Sequence, residues 1–344
     1  MAISILQNDN DYTEFLINNE KCNPSFINAL RRILLVELSV IAIDDEKTEF
    51  VKNTCMLNSD ILRQRLYLLP INNHYFDAKD ISEITIEYNF KNEEEHIHTT
   101  YIKDFIIKYN DEIIDNTLIF PYPDMIFTKI KQNQEVIFKT GLCKNSSKEG
   151  GSPFNPTGTC FYKFIRDEDE IKKLTKDMKA EDKQSFELLG ANRIYKKNKD
   201  GIPSVYNFII EGTNVIKTSV LFEQACEKLI QKCSDLSGAI NSPNQDKVKV
   251  YPSENEMNAF DFDFHDENDT MGNLITKYLH QNSNINFAGY LIPHPLNKQM
   301  IIRTSLNKKN TIEENIVVVK STLGEIIALT KNILSDFRKS LKKN

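Results

Sequence analysis

The sequence has no Cys-x-x-Cys pair among its six cysteines, at positions 22, 55, 143, 160, 226 and 233. Free thiols in a reducing compartment are expected rather than a disulfide framework. No run of about 18 apolar residues occurs, so no membrane-spanning helix is expected. The N-terminal stretch lacks a basic region followed by an apolar core, and no secretory signal is expected there. There is no glycine-rich phosphate loop. Positive charge is in deficit: a net charge of −6 argues against a nucleic-acid binder that works by bulk electrostatics. What is present is ordinary for a globular protein, 40% hydrophobic and 27% charged. The 344 residues suffice for two domains with real cores.

The chain is organised around residues 23 to 43. Asn23 can cap free backbone N–H groups, and Pro24 tolerates the first helical position. Phe26, Ile27, Leu30, Ile33, Leu34 and Leu38 then recur at helical spacing. Arg31 and Arg32 fall beside that stripe. A β-prone segment, Val40-Ile41-Ala42-Ile43, follows. Pattern alone gives an amphipathic core helix and a strand. The residues themselves, Ala29-Leu30-Arg31-Arg32 after an Asn, then Glu37 and an apolar strand, resemble the signature helix of alpha-type assembly subunits of multisubunit RNA polymerases. These are the bacterial alpha subunit, its archaeal D-type counterpart and the third-largest subunit of eukaryotic RNA polymerase II.

Upstream, residues 3 to 20 read as a strand region. Downstream, Asn58 or Ser59 caps a short helix that turns Ile61, Leu62 and Leu66 inward, and Pro70 ends it. This Asn-Thr segment, acidic helix and Pro-containing strand also resemble the alpha-type family. Gln64 stands where the family usually has His, and Asp60 where it has Asp-Glu. Alternation predicts strands at 84–88 and 102–107. Gly150 to Gly158 reads as a loop before a strand at 160–164, and the charged stretch 166–200 as a solvated helix and a loop. A strand at 205–212 and a helix at 220–233 follow, with Leu221, Phe222, Ala225, Leu229 and Ile230 on one face. Polar residues 234–247 read as a linker.

A second unit begins after it. Phe260 to Phe264 alternates like a strand, and Asp269 or Thr270 caps a helix through Leu279. Thr270-Met271-Gly272-Asn273-Leu274, then Phe287-Ala288-Gly289-Tyr290, then Pro293-His294-Pro295-Leu296 follow in order. The three motifs resemble the archaeal L subunit and the eleventh-largest subunit of RNA polymerase II. Asp269 replaces the family's usual His. Apolar residues from Ile312 to Leu341 keep helical spacing, a helix of about 48 Å that must lie across another unit to bury its stripe.

Other chemistry is weaker. His96 and His98 could share a strand face and bind a metal, but structural sites usually need four ligands and a solvated edge is favoured. Relatives often carry a Cys-rich cluster in the inserted domain; Cys143 and Cys160 alone do not make one, and no metal or cofactor is expected. Either Cys with a distant His lacks local support as a nucleophilic pair. Asp261-Phe262-Asp263 reads as an ordinary strand with an acidic outer face, and His294 as part of a rigid turn.

The resemblance implies an α/β (α+β) fold of two related dimerisation half-units forming an intramolecular pseudo-dimer. The first half is expected at 1–71 and 205–240, an inserted β-rich domain at 72–204, a linker at 241–250 and the second half at 251–344. Phe26, Leu30, Ile33, Leu34, Leu274, Leu279, Leu323, Ile327 and Leu334 are the expected dimerisation core. The implied role is a non-catalytic platform that docks the largest and second-largest polymerase subunits and touches small zinc-binding subunits, with little nucleic-acid contact. Arg31, Arg32 and Arg65 are the candidate partner-binding residues; surface charge or an internal salt bridge is the plainer account of them. One polypeptide holding both halves fits the fused subunit of large cytoplasmic DNA viruses, which implies host cytoplasm and virion, or else the nucleus or cytoplasm with the polymerase. A free-standing transcription regulator is the alternative function, and an enzyme using His or Cys a further one.

Overall fold

The computed structural model describes residues 2–76, 80–240, 247–254, 256, 258–294, 296–308 and 311–343. The chain opens with a hairpin, β1 (Ile3–Asn8) and β2 (Tyr12–Asn18). Helix α1 (Pro24–Val36) starts where its sequence requires: Asn23 Oδ1 accepts the Phe26 N–H at 2.9 Å and Pro24 fills the first turn. Next come β3 (Ser39–Ile43), β4 (Glu49–Asn53) and α2 (Ser59–Tyr67). Asn58 is the cap of α2, and Leu62 and Leu66 are buried. Ile61 is not: it lies off the narrow stripe and is 44% exposed.

Strands β5 (Ile84–Lys91), β6 (His98–Tyr101), β7 (Ile106–Tyr109), β8 (Glu112–Ile114), β9 (Ile126–Ile130) and β10 (Glu135–Ser146) follow. The strand expected from 102 begins only at 106. Ile102–Asp104 is a single 3-10 turn, closed by Asp104 Oδ2 accepting the Tyr101 N–H at 2.7 Å. A one-turn helix, α3 (Ser147–Gly150), precedes β11 (Thr157–Phe164). The charged stretch holds two helices, α4 (Glu168–Leu174) and α5 (Ala180–Leu189). Then come β12 (Val205–Gly212) and α6 (Thr218–Ala239). Residues 241–246 of the expected linker lie outside the described residues, and 248–250 are already strand: β13 (Val248–Pro252) pairs with β14 (Ala259–His265). Helix α7 (Asp269–Leu279) is capped by Asn268, one residue before the expected cap, through its hydrogen bond from Thr270 N–H. The chain closes with β15 (Ile285–Leu291), β16 (Gln299–Leu306) and the 30-residue α8 (Ile312–Leu341). Thr311 and Glu314 form a capping box at its start.

Two of the sheets share one plan. The order β1-β2-β12-β11 and the order β13-β14-β16-β15 both run first, second, fourth, third. In each unit a helix follows the second strand and another follows the fourth. The fold is therefore α+β with two related half-units. A six-stranded sheet, β3-β10-β5-β7-β8 with β4 paired to β10, and the small pair β6-β9 belong to an inserted unit.

The cores do not follow the expected boundaries. Ile41, Ile43, Leu62, Leu66, Leu69 and Ile71 share a second core with β5, β7, β9 and β10. Val40 and Ala42, on the other face of β3, belong to the first core. Strand β3 is thus the wall between two cores, which is why its sequence is apolar on both faces. Strand β11, expected inside the insert, pairs with β12 in the first half-unit's sheet.

In α7 a Cβ on Gly272 would come within 2.5 Å of Tyr290 Cδ2 and 2.8 Å of Met300 Sδ. Alanine there gains about 1 kcal/mol in helix propensity. The clash with a ring base costs more, about 1–3 kcal/mol. Gly272→Ala therefore lowers the midpoint of thermal unfolding; a raised midpoint would contradict this packing.

Candidate functional site

The two half-units meet through their helices. Helix α1 packs on α7, and α6 on α8, each against its own equivalent. Like meeting like is the mark of a twofold interface, here within one chain. One continuous core results. It holds Phe26, Leu30, Ile33 and Leu34 of α1, Leu274 and Leu279 of α7, and Leu323 and Leu334 of α8, all buried. Of the expected core residues only Ile327 is half-buried at the edge, because its neighbour Ile326 takes the inward position.

Helix α8 runs on to the first half-unit's sheet. Phe337 packs at 5.0 Å from Phe15 and 4.7 Å from Phe222, ring centre to ring centre. Asp336 accepts the Ala2 N–H at 2.8 Å, and Ser340 Oγ donates to the Ile3 carbonyl at 2.9 Å. Arg338 pairs with Glu223 and Glu227 of α6, each at 2.7 Å. Tyr278 of α7 donates to the Lys21 carbonyl at 2.9 Å.

Beside this apolar seam lies a buried ionic triad. Lys232 of α6 sits 2.8 Å from Glu37, at the end of α1, and 3.0 Å from Glu267, just before α7. All three side chains are about nine-tenths buried. Burial opposes the Lys232 charge, but the Glu267 and Glu37 carboxylates outweigh it and hold its pKa above the usual lysine value. Burial pushes the Glu267 carboxyl upward, against the pull of Lys232. Nothing in the sequence reading singles out this triad, although one signal for it is there: Lys232 interrupts the stripe Leu229, Cys233, Leu236 on the inward face of α6.

The candidate partner-binding arginines do not form one cluster. Arg31 is half-buried, and its Nε and Nη2 donate to Asn28 Oδ1 at 3.0 and 2.9 Å. Arg32, also half-buried, makes no ion pair among the described residues. Arg65 is exposed on α2, in the other core's unit, and donates to the Ile126 carbonyl at 3.1 Å.

His96 is exposed and 2.8 Å from Glu94, while the His98 ring stacks 4.3 Å from Phe90. Among the described residues no group of three or more His, Cys, Asp or Glu is placed to hold a metal ion. Burial pushes the Cys143 thiol up to about 11 and the Cys160 thiol up to about 12, so both are poor nucleophiles at neutral pH. Exposed His294 accepts the Leu296 N–H on Nδ1 at 3.2 Å. The acidic outer face expected at Asp261 and Asp263 is covered instead: both are 5% exposed. Arg303 clamps Asp261 at 2.7 and 2.8 Å, and Gln299 donates to Asp263 at 2.6 Å. No helix among the described residues is long and apolar enough to cross a membrane.

Residues 14–233 match the family model of the RNA polymerase Rpb3/Rpb11 dimerisation domain. The chain belongs to the RNA polymerase Rpb3/Rpb11 dimerisation-domain family. Residues 259–336 match a second model of the same Rpb3/Rpb11 domain. The first match runs from β2 to α6 across the inserted unit, and the second from β14 to α8. The RNA polymerase subunit Rpo3 of Pyrococcus furiosus is 23% identical over 264 residues, 67% of this chain and 94% of that one. Rpo3 of Pyrobaculum calidifontis is 27% identical over 42% of this chain and 58% of its own length. The subunit rpc19 of RNA polymerases I and III from Dictyostelium discoideum is 29% identical over 29% of this chain and 83% of its own.

Proposed function

We propose that this chain is the non-catalytic assembly platform of a DNA-directed RNA polymerase, with both members of the alpha-type pair in one polypeptide. The observation that carries this reading is the pair of Rpb3/Rpb11 half-units clasped through α1, α6, α7 and α8. In this reading the first half-unit comprises 1–38, 157–164 and 205–240, the inserted unit 39–156, and the second half-unit 248–344. The outer surface nucleates docking of the two large catalytic subunits and the small zinc-binding subunits. Fusion of the halves is what favours a large cytoplasmic DNA virus as the source, with the polymerase in host cytoplasm and virion. A net charge of −6 disfavours the alternative of a regulator that binds DNA directly.

Arg31 and Arg32 are the residues proposed to engage the second-largest subunit. Arg32 is the better anchor, because Arg31 already donates to Asn28. Neither side chain is in the core, so Arg31→Glu with Arg32→Glu leaves the chain folded. In reconstitution it weakens capture of the second-largest subunit by about 2–5 kcal/mol. Undiminished capture would remove these residues from the interface.

A further inference from the structure

We infer that the buried Glu267 carboxylate makes the two half-units pair with each other rather than each with its own kind. The inference rests on the clasp and not on the polymerase assignment. The two halves can be aligned element by element. Strands β12 and β16 are each eight residues long, and α6 and α8 each begin six residues after them. Lys232 and Ile326 are therefore equivalent, each the fifteenth residue of its helix. Glu267 immediately precedes the α7 cap Asn268, and Cys22 immediately precedes the α1 cap Asn23. The internal twofold therefore maps the Lys232–Glu267 contact onto the position of Ile326 and Cys22, both buried and neither charged.

Homotypic pairing would break this arrangement. Two second halves together would set each Glu267 against Ile326, a buried carboxylate with no cation. They would also lose Lys148 of the inserted unit that the first half carries, whose Nζ donates to the Asp266 carbonyl at 3.1 Å. Within the triad, two first halves together would keep Lys232 on its own Glu37 and lose only Glu267. The penalty thus falls on Glu267. Specificity of this kind comes from what the wrong partner leaves unpaired.

The test uses the folded full chain with a protease site placed within 241–246, cleaved after purification and left to exchange. Native mass spectrometry then counts mixed pairs, paired first halves and paired second halves. Wild type and Glu267→Asp, which keeps the charge, are expected to remain mixed pairs only. Glu267→Gln, and Glu267→Met read in parallel in case the amide packs poorly, are expected to give like pairs in measurable amount beside the mixed pairs, which still keep the Phe337 and Arg338 contacts of α8 with the first half. Like pairs in nicked wild type, or mixed pairs alone in both neutral variants, would overturn the proposal. Reconstitution with the second-largest subunit, read on the uncut chain, fails or succeeds independently of this result.

Discussion

Lys232→Met lowers the unfolding free energy by about 3–5 kcal/mol, the cost of stranding buried carboxylates without their cation. Lys232 is the only cation within 4 Å of either Glu37 or Glu267 among the described residues, and all three side chains are nearly enclosed. Solvent cannot take over the role of the ammonium. Urea unfolding reads this as a lower midpoint with an unchanged slope. The triad as a whole is a different matter. Replacing Glu37, Lys232 and Glu267 together by apolar residues of similar volume is neutral or stabilising, because desolvating three charges cancels most of their attraction. A single variant that costs much and a triple variant that costs little are expected together. A Lys232→Met chain as stable as wild type would mean that the triad is solvated in solution.

The second large effect belongs to Phe337→Ala, which costs about 3–5 kcal/mol. Phe337 is fully buried, and its neighbours Phe15 and Phe222 lie on the first half-unit. The cavity therefore opens between the halves rather than inside either. The residues around it, Phe208 included, are held by two strands and α6 and can close in only partly. A loss below about 1 kcal/mol would place the end of α8 away from the first sheet. Arg338→Ala on the same helix turn serves as the control. Its ion pairs are partly exposed, so it costs about 1 kcal/mol or less.

What is legible in the sequence is local. Asn23 and Asn58 declare their helices because a cap is read from one side chain and the N–H groups that follow it. The stripe from Phe26 to Leu34 and the long apolar stripe of α8 declare a clasp, since a 30-residue helix with one greasy face must cover something. What is not legible is what lies on the other side of an element. Val40-Ile41-Ala42-Ile43 reads as a strand, but nothing in it says that its two faces serve two cores. The proposed division therefore starts the inserted unit at 39, some thirty residues before the change of character at 72. Asp261 and Asp263 alternate with Phe as a solvent-facing acid pair does, and only pairing with β16 brings Arg303 and Gln299 over them. Lys232 stands in plain view on an apolar stripe, but its partners come from two other elements far away in the chain. The candidate arginines lie on the surface side of α1 and α2, half-buried at Arg31 and Arg32 and exposed at Arg65.

The central claim is that the two half-units share one core and unfold as one body. Native-state hydrogen exchange across α1, α6, α7 and α8, in wild type and in Phe337→Ala, tests it most directly. The slowest amides of Phe26–Leu34, Leu221–Leu236, Leu274–Leu279 and Leu323–Leu334 are expected to open with the same free energy, and the substitution is expected to lower all four sets equally. Protection lost only in α7 and α8, with α1 and α6 unchanged, would contradict it.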